Sequence, residues 1–181
     1  MLEITIPEKE LWDESKQEFI HTKEQTLRME HSLVSLSKWE SKWKKPFLGK
    51  DTRTFEETID YIKCMTVTQN VDPDVYKCLS ADNIKKINEY INDTMTATTF
   101  SNNGQKGGSN GEVLTSELIY YYMIASNIPF ECQKWHLNRL ITLIRVCSIK
   151  NQPPKKMGKG ELMKRNASLN AARRKQLNSR G

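Results

Sequence analysis

The chain has 181 residues, 21.0 kDa and a formal net charge of +6. That is enough for one domain with an appendage, burying roughly 70% of the unfolded chain's surface. Hydrophobic residues make up 37% of it, below the roughly 45–50% usual for a globular domain, and Leu, Ile, Val and Phe together stand just above the ~20% level at which disorder takes over. No apolar run reaches the ~18 residues of a membrane span, and the acidic opening Met1-Leu2-Glu3 lacks the basic and apolar regions of a signal peptide. Cys64, Cys78, Cys132 and Cys147 are too dispersed for a disulfide framework, so they are expected to be reduced thiols of a cytosolic protein.

Leu2 to Ile6 alternates apolar and polar residues, the pattern of a half-buried strand, and Pro7 stops it. Gln25 to His31, with Leu27 and Met29 alternating with Arg28 and Glu30, offers a partner strand or the lead-in to a helix. From Ser32 to Lys45 the spacing of Leu33, Leu36, Trp39 and Trp43 predicts an amphipathic helix that ends at Pro46. Thr54-Phe55-Glu56-Glu57 has the form of a capping box, in which a hydroxyl and a Glu three residues on satisfy each other's free amides; Ile59, Ile62 and Met65 continue that helix. Asp72-Pro73 turns the chain into a helical stretch through Val75 and Leu79, and Ser80 caps another with Ile84, Ile87 and Ile91 inside.

Residues 101–111 hold four of the chain's eight glycines and predict a flexible loop. Leu114–Ala125 and Glu131–Ile149 then read as a helical hairpin. Its second arm, with Leu137, Leu140, Ile141, Ile144 and Cys147 on one side, is expected to be the central helix of the core. Pro153-Pro154 closes the body. Residues 155–181 carry nine Lys or Arg against the single acid Glu161, so this tail holds +8 and the rest of the chain −2 of the total +6. Helix formers are plentiful there, but an apolar stripe is missing, which predicts a tail that is disordered or made helical by a partner. The expectation is therefore a mainly α protein, with a helical domain at 1–152 that opens on a short β element and a basic tail at 153–181.

The residues argue against an enzyme, a cofactor or a metal. Cys132 and His136 are four apart, but no second ligand pair accompanies them. Cys64, Cys132 or Cys147 could serve as a nucleophile beside a histidine, but each lies in an apolar helical pattern, as buried thiols do. Gly104–Gly111 has no preceding strand and no Gly-Lys-Ser/Thr, so it does not read as a phosphate cradle. Glu56 and Glu57 sit where the helix dipole favours acids. Trp39 and Trp43, followed by Lys44-Lys45, suit either the protein's own core or a partner surface, and Tyr120-Tyr121-Tyr122 wraps a helix so that one hydroxyl must meet solvent or a polar group. The candidate partner-binding residues are Trp39, Trp43, Trp135, Lys164, Arg165, Arg173, Arg174 and Lys175.

Several segments carry a resemblance: Leu2-Glu3-Ile4-Thr5-Ile6-Pro7, Glu30-His31-Ser32-Leu33 through Ser37-Lys38-Trp39-Glu40, Asp60-Tyr61-Ile62-Lys63-Cys64-Met65, Met95-Thr96-Ala97-Thr98-Thr99-Phe100, Ile128-Pro129-Phe130-Glu131 through Trp135-His136-Leu137-Asn138, and Ala172-Arg173-Arg174-Lys175 through Arg180-Gly181. In these the chain resembles the tail assembly chaperones of bacteriophages with long flexible tails. The resemblance implies a non-enzymatic protein of the host cell cytoplasm, away from membranes, that coats the tape-measure protein while tail-tube subunits polymerise around it, with the tube protein and self-association as further contacts. In this sequence the apolar groove for that partner is expected to be built from helix Ser32–Lys45 and the Leu114–Ile149 hairpin, with the basic tail supplying a second, electrostatic contact. The alternative is a nucleic-acid-binding phage protein acting through its basic tail.

Overall fold

The computed structural model describes residues 1–13, 17–100, 113–152 and 158–178. Two compact units divide the chain, Met1–Ile149 and Lys150–Gly181. The expected glycine-rich loop at 101–111 and the stop at Pro153-Pro154 lie outside the described residues. The architecture is mainly α, with two antiparallel strand pairs at its start.

Strand β1 (Leu2–Ile6) pairs with β4 (Gln25–Met29), Ile4 opposite Leu27. Alternation buries Ile4, Ile6, Leu27 and Met29, and leaves Glu3 and Arg28 outside as an ion pair at 3.2 Å. The chain after Met65 runs along the other side of β4, where Glu30 N–H donates to Met65 O at 2.9 Å and Val67 N–H to Arg28 O at 2.8 Å. Between β1 and β4 lies a hairpin that the sequence did not announce, β2 (Lys9–Asp13) against β3 (Glu18–Thr22). Leu11 packs against the core, with the half-buried Ile20 opposite it, while Trp12 and Phe19 form an exposed edge-to-face pair with ring centres 5.0 Å apart. Each strand carries only two large apolar residues among charged ones, too short an alternation to stand out.

Helix α1 (Leu33–Trp43) starts at Ser32, whose hydroxyl accepts from Ser35 N–H, and stops at Lys44, whose φ of 55° is left-handed. The helix therefore ends before Pro46 is reached. Leu33, Leu36 and Trp39 are fully buried, which makes α1 the centre of the core. Helix α2 (Phe55–Met65) carries the expected Thr54–Glu57 capping box and packs Tyr61, Ile62 and Met65 inward. A 3-10 helix at Pro73–Cys78 leads to α3 (Ala81–Asn92), capped by Ser80, which buries Ile87 and Tyr90 and leaves Ile84 and Ile91 half-buried.

The expected hairpin is corrected. Helix α4 (Ser116–Ala125) packs on α1, but Phe130–Lys134 is a separate 3-10 helix, and α5 (Leu137–Lys150) begins only after an extended Trp135. His136 bridges to Ser32, and Leu137 N–H donates to His31 O at 2.7 Å, so the segment is held by the residues before α1 rather than by helical continuation. Only the first turn of α5, Leu137 and Leu140, is fully buried; Ile141, Ile144 and Cys147 are half-buried. The core is thus organised around α1, not around residues 131–149.

In the second unit, α6 (Lys159–Leu177) is a helix of 19 residues whose described side chains are all exposed. Where the sequence reading weighs the missing apolar stripe and expects fraying, this segment is helical. Ala, Leu, Met, Lys, Arg and Gln are the strongest helix formers, and Arg174 and Lys175 occupy the last turn, where the helix dipole favours cations.

Candidate functional site

Trp39 and Trp43 face α2. Trp39 is fully buried; its indole N–H donates to Glu57 O at 2.9 Å, and its ring meets Phe47 edge-on at 5.1 Å. Trp43 is half-buried and donates from Nε1 to Asp60 Oδ2 at 2.9 Å. Lys42 pairs with Asp60 and Lys45 with Glu57, and the Lys45 ammonium lies 5.9 Å from both indole centres. Burial pushes the Asp60 carboxyl up, but the hydrogen bonds from Lys42 and Trp43 outweigh it and hold the group below its usual range. Lys45 and the Thr54 amide likewise lower Glu57. The tryptophan–lysine pattern offered as a partner surface is a clasp between α1 and α2, so Trp39 is removed from the set of binding residues and Trp43 has its polar atom engaged.

The expected groove between α1 and residues 114–149 is closed. Leu36 from α1 and Ile119 and Met123 from α4 are buried in one core. Glu40, only 7% exposed, spans the seam: Oε1 accepts from Phe47 N–H at 2.8 Å and Oε2 from Ser116 N–H at 2.7 Å. Its carboxylate holds the first turn of α4, where the free amides and the helix dipole favour a negative charge.

A second buried polar cluster joins three segments. His31 Nδ1 and the Tyr61 hydroxyl share a 2.6 Å hydrogen bond, and the rings of His31 and His136 meet edge-to-face with centres 5.1 Å apart. His136 Nε2 lies 2.9 Å from Tyr90 O; a carbonyl only accepts, so Nε2 carries a proton, and the buried Nδ1 meets no hydrogen-bond partner among the described residues. Burial, followed by the neighbouring His136 and Arg53, lowers the His31 pKa from 6.5 to about 3. The imidazole of His136 is thus committed to the α3 carbonyl and not to Cys132, and burial pushes the Cys64 thiol up, away from the thiolate a nucleophile needs. Among the described residues no group of three or more His, Cys, Asp or Glu is placed to hold a metal ion.

An exposed apolar surface lies on the outer side of α4 and the 3-10 helix after it. Ser116, Ile119 and Met123 turn into the core at helical spacing, which leaves Tyr121 and Ile124 outside at 62% and 61% exposure. Tyr122 packs on Tyr121 with ring centres 5.5 Å apart. Tyr120 donates to Gln133 Oε1 at 2.9 Å, and its ring lies 6.5 Å from that of Phe130, itself 55% exposed, so the aromatic surface continues from α4 onto Phe130. The sequence asks only that one of the Tyr120–Tyr122 hydroxyls meet solvent or a polar group; three aromatics in a row on a ten-residue helix is the signal for an exposed aromatic face, since one helix cannot turn all of them inward.

Trp135, the third candidate tryptophan, is 36% exposed, and the Arg139 guanidinium stacks on it 4.3 Å from the ring centre. It adjoins His136 and hence the start of α1, whereas Trp43 ends that helix, roughly 16 Å away along the axis. The three tryptophans therefore do not form one surface. Lys164, Arg165, Arg173, Arg174 and Lys175 are exposed residues of α6 in the second unit. Among the described residues no helix is long and apolar enough to cross a membrane. Set against protein-family models, curated proteins and solved structures, the chain matches none of them.

Proposed function

We propose that this protein is a bacteriophage tail assembly chaperone that keeps the tape-measure protein in solution, and that it does so through the aromatic face of α4 and Phe130. One observation carries the reading: Tyr121 and Ile124 are each more than half exposed on a helix whose other side is locked into the core, with the partly exposed Tyr122 against Tyr121 and the exposed Phe130 of the next 3-10 helix near Tyr120. An apolar patch of this kind costs solubility unless a partner covers it. A tape-measure chain, long and helical with apolar stripes, offers repeated surfaces for such a face. Burying one large apolar side chain contributes only about 1.5–3 kcal/mol, so each contact is weak enough for tail-tube subunits to displace and strong in numbers along the chain. The resemblance noted in the sequence supports the same partner.

Co-expression tests it. The tape-measure protein is expected in the soluble fraction, and in complex with this chain, only when the two are made together. Equal solubility with and without this chain refutes the proposal.

A further inference from the structure

Helix α6 bears Lys159, Lys164, Arg165, Arg173, Arg174 and Lys175 against the one acid Glu161. Their placement around the helix says more than their number. Lys164 and Arg173 are nine residues apart, as are Arg165 and Arg174, and nine residues are about two and a half turns, so each pair points to opposite sides of the helix. Lys175 returns to the side of Lys164, about three turns on. Leu162, Met163, Leu169 and Leu177 are exposed and lie within about 120° of the helix circumference, but Lys159 and Arg173 share that arc, so no face is apolar without charge.

A flat partner, whether a membrane face or one side of a protein, meets only one side of a helix and would leave half of these charges in water. Anionic membranes also select helices with one apolar and one basic face, which α6 does not have. A site with negative charge on both sides uses them all. The major groove of B-form DNA is about 12 Å wide, with a phosphate backbone along each wall, and a helix with side chains is about 10–12 Å across. At 19 residues α6 is about 28 Å long, close to the ~34 Å of one duplex turn. We propose that α6 is a duplex-DNA-binding helix that lies in the major groove, with Lys164 and Arg165 on one pair of directions and Arg173 and Arg174 on the opposite pair, contacting phosphates on both walls. This binding is separate from the proposed tape-measure contact, which uses α4 and Phe130. Nothing in the distribution of cations selects a base sequence, so affinity comes from phosphate neutralisation.

The experiment is a fluorescence-anisotropy titration of the full chain against a labelled 24-base-pair DNA duplex at 50 to 200 mM salt. If all six α6 cations reach phosphates, affinity falls about 10³-fold across that range, and each cation removed lowers the slope of log affinity against log salt by about 0.9. K164A, R165A, R173A and R174A are each expected to lower it; all four are exposed helix positions, and unchanged helicity by circular dichroism confirms the fold. If one member of each opposed pair leaves the slope unchanged, binding is one-sided and the groove placement is wrong. No binding at 50 mM salt, or equal or tighter binding to single-stranded DNA, an RNA duplex or anionic vesicles, overturns the assignment altogether. Y121S/I124S should leave DNA binding intact, which separates failure here from failure of the tape-measure reading.

Discussion

Glu40 shows how a single side chain decides where an element begins. Its two oxygens satisfy one amide from the loop after α1 and one from the first turn of α4, both away from water. Glu40→Ala should cost about 3 kcal/mol, since hydrogen bonds to charged groups contribute about 1.5–3 kcal/mol each and two amides would lose their acceptor; urea unfolding measures it, and a cost under about 1 kcal/mol would contradict the geometry. Trp39→Ala should cost about 3–5 kcal/mol, as large core truncations do. Thermal unfolding then distinguishes the core role from a surface role, because a partner-facing tryptophan would leave the midpoint unmoved. His31 couples stability to pH. Its folded pKa of about 3 lies below the unfolded value of 6.5, so below pH 6.5 the unfolded chain binds a proton that the native state refuses. Stability should therefore fall with pH by up to about 1.4 kcal/mol per unit. Between pH 7 and 5, above most carboxylate titration, the loss should be larger in the wild type than in His31→Gln; identical profiles would contradict it.

At the scale of elements, the local signals were the legible ones. The capping box at Thr54 and Glu57 is present with both of its bonds, Thr54 Oγ1 accepting at 3.2 Å and Glu57 Oε2 at 2.9 Å, and Thr54→Ala should cost about 1 kcal/mol by chemical denaturation. The β1–β4 pair, α1, α2 and α3 could likewise be read from periodicity and caps. What could not be read depends on contacts distant in sequence. The hairpin β2–β3 is fixed to the body by Thr22, whose hydroxyl lies 3.3 Å from Cys78 Sγ, and α5 is cut from the 3-10 helix by the bridge between His136 and Ser32. The apolar density of residues 131–149 marks them for a core, yet the chain buries their first turn most deeply and gives the centre to α1.

For the molecule as a whole, the candidate site was half visible. Trp39 and Trp43 carry the residue types of a binding surface, but the lysines beside them are matched by Asp60 and Glu57 on α2, and pairing across two helices cannot be seen in one-dimensional spacing. Tyr121, Ile124 and Phe130 are the reverse case, apolar residues that a sequence assigns to the core and the fold leaves outside. The proposed tape-measure contact lies on this outer face of α4, with Phe130. The most direct measurement is the affinity of purified wild-type chain and of Y121S/I124S/F130S for a soluble tape-measure segment, by calorimetry, with unfolding midpoints recorded for both. Wild type should bind, and the variant should bind at least tenfold more weakly with its midpoint unchanged. Equal affinity for the two, or no binding by the wild type, would contradict the proposal.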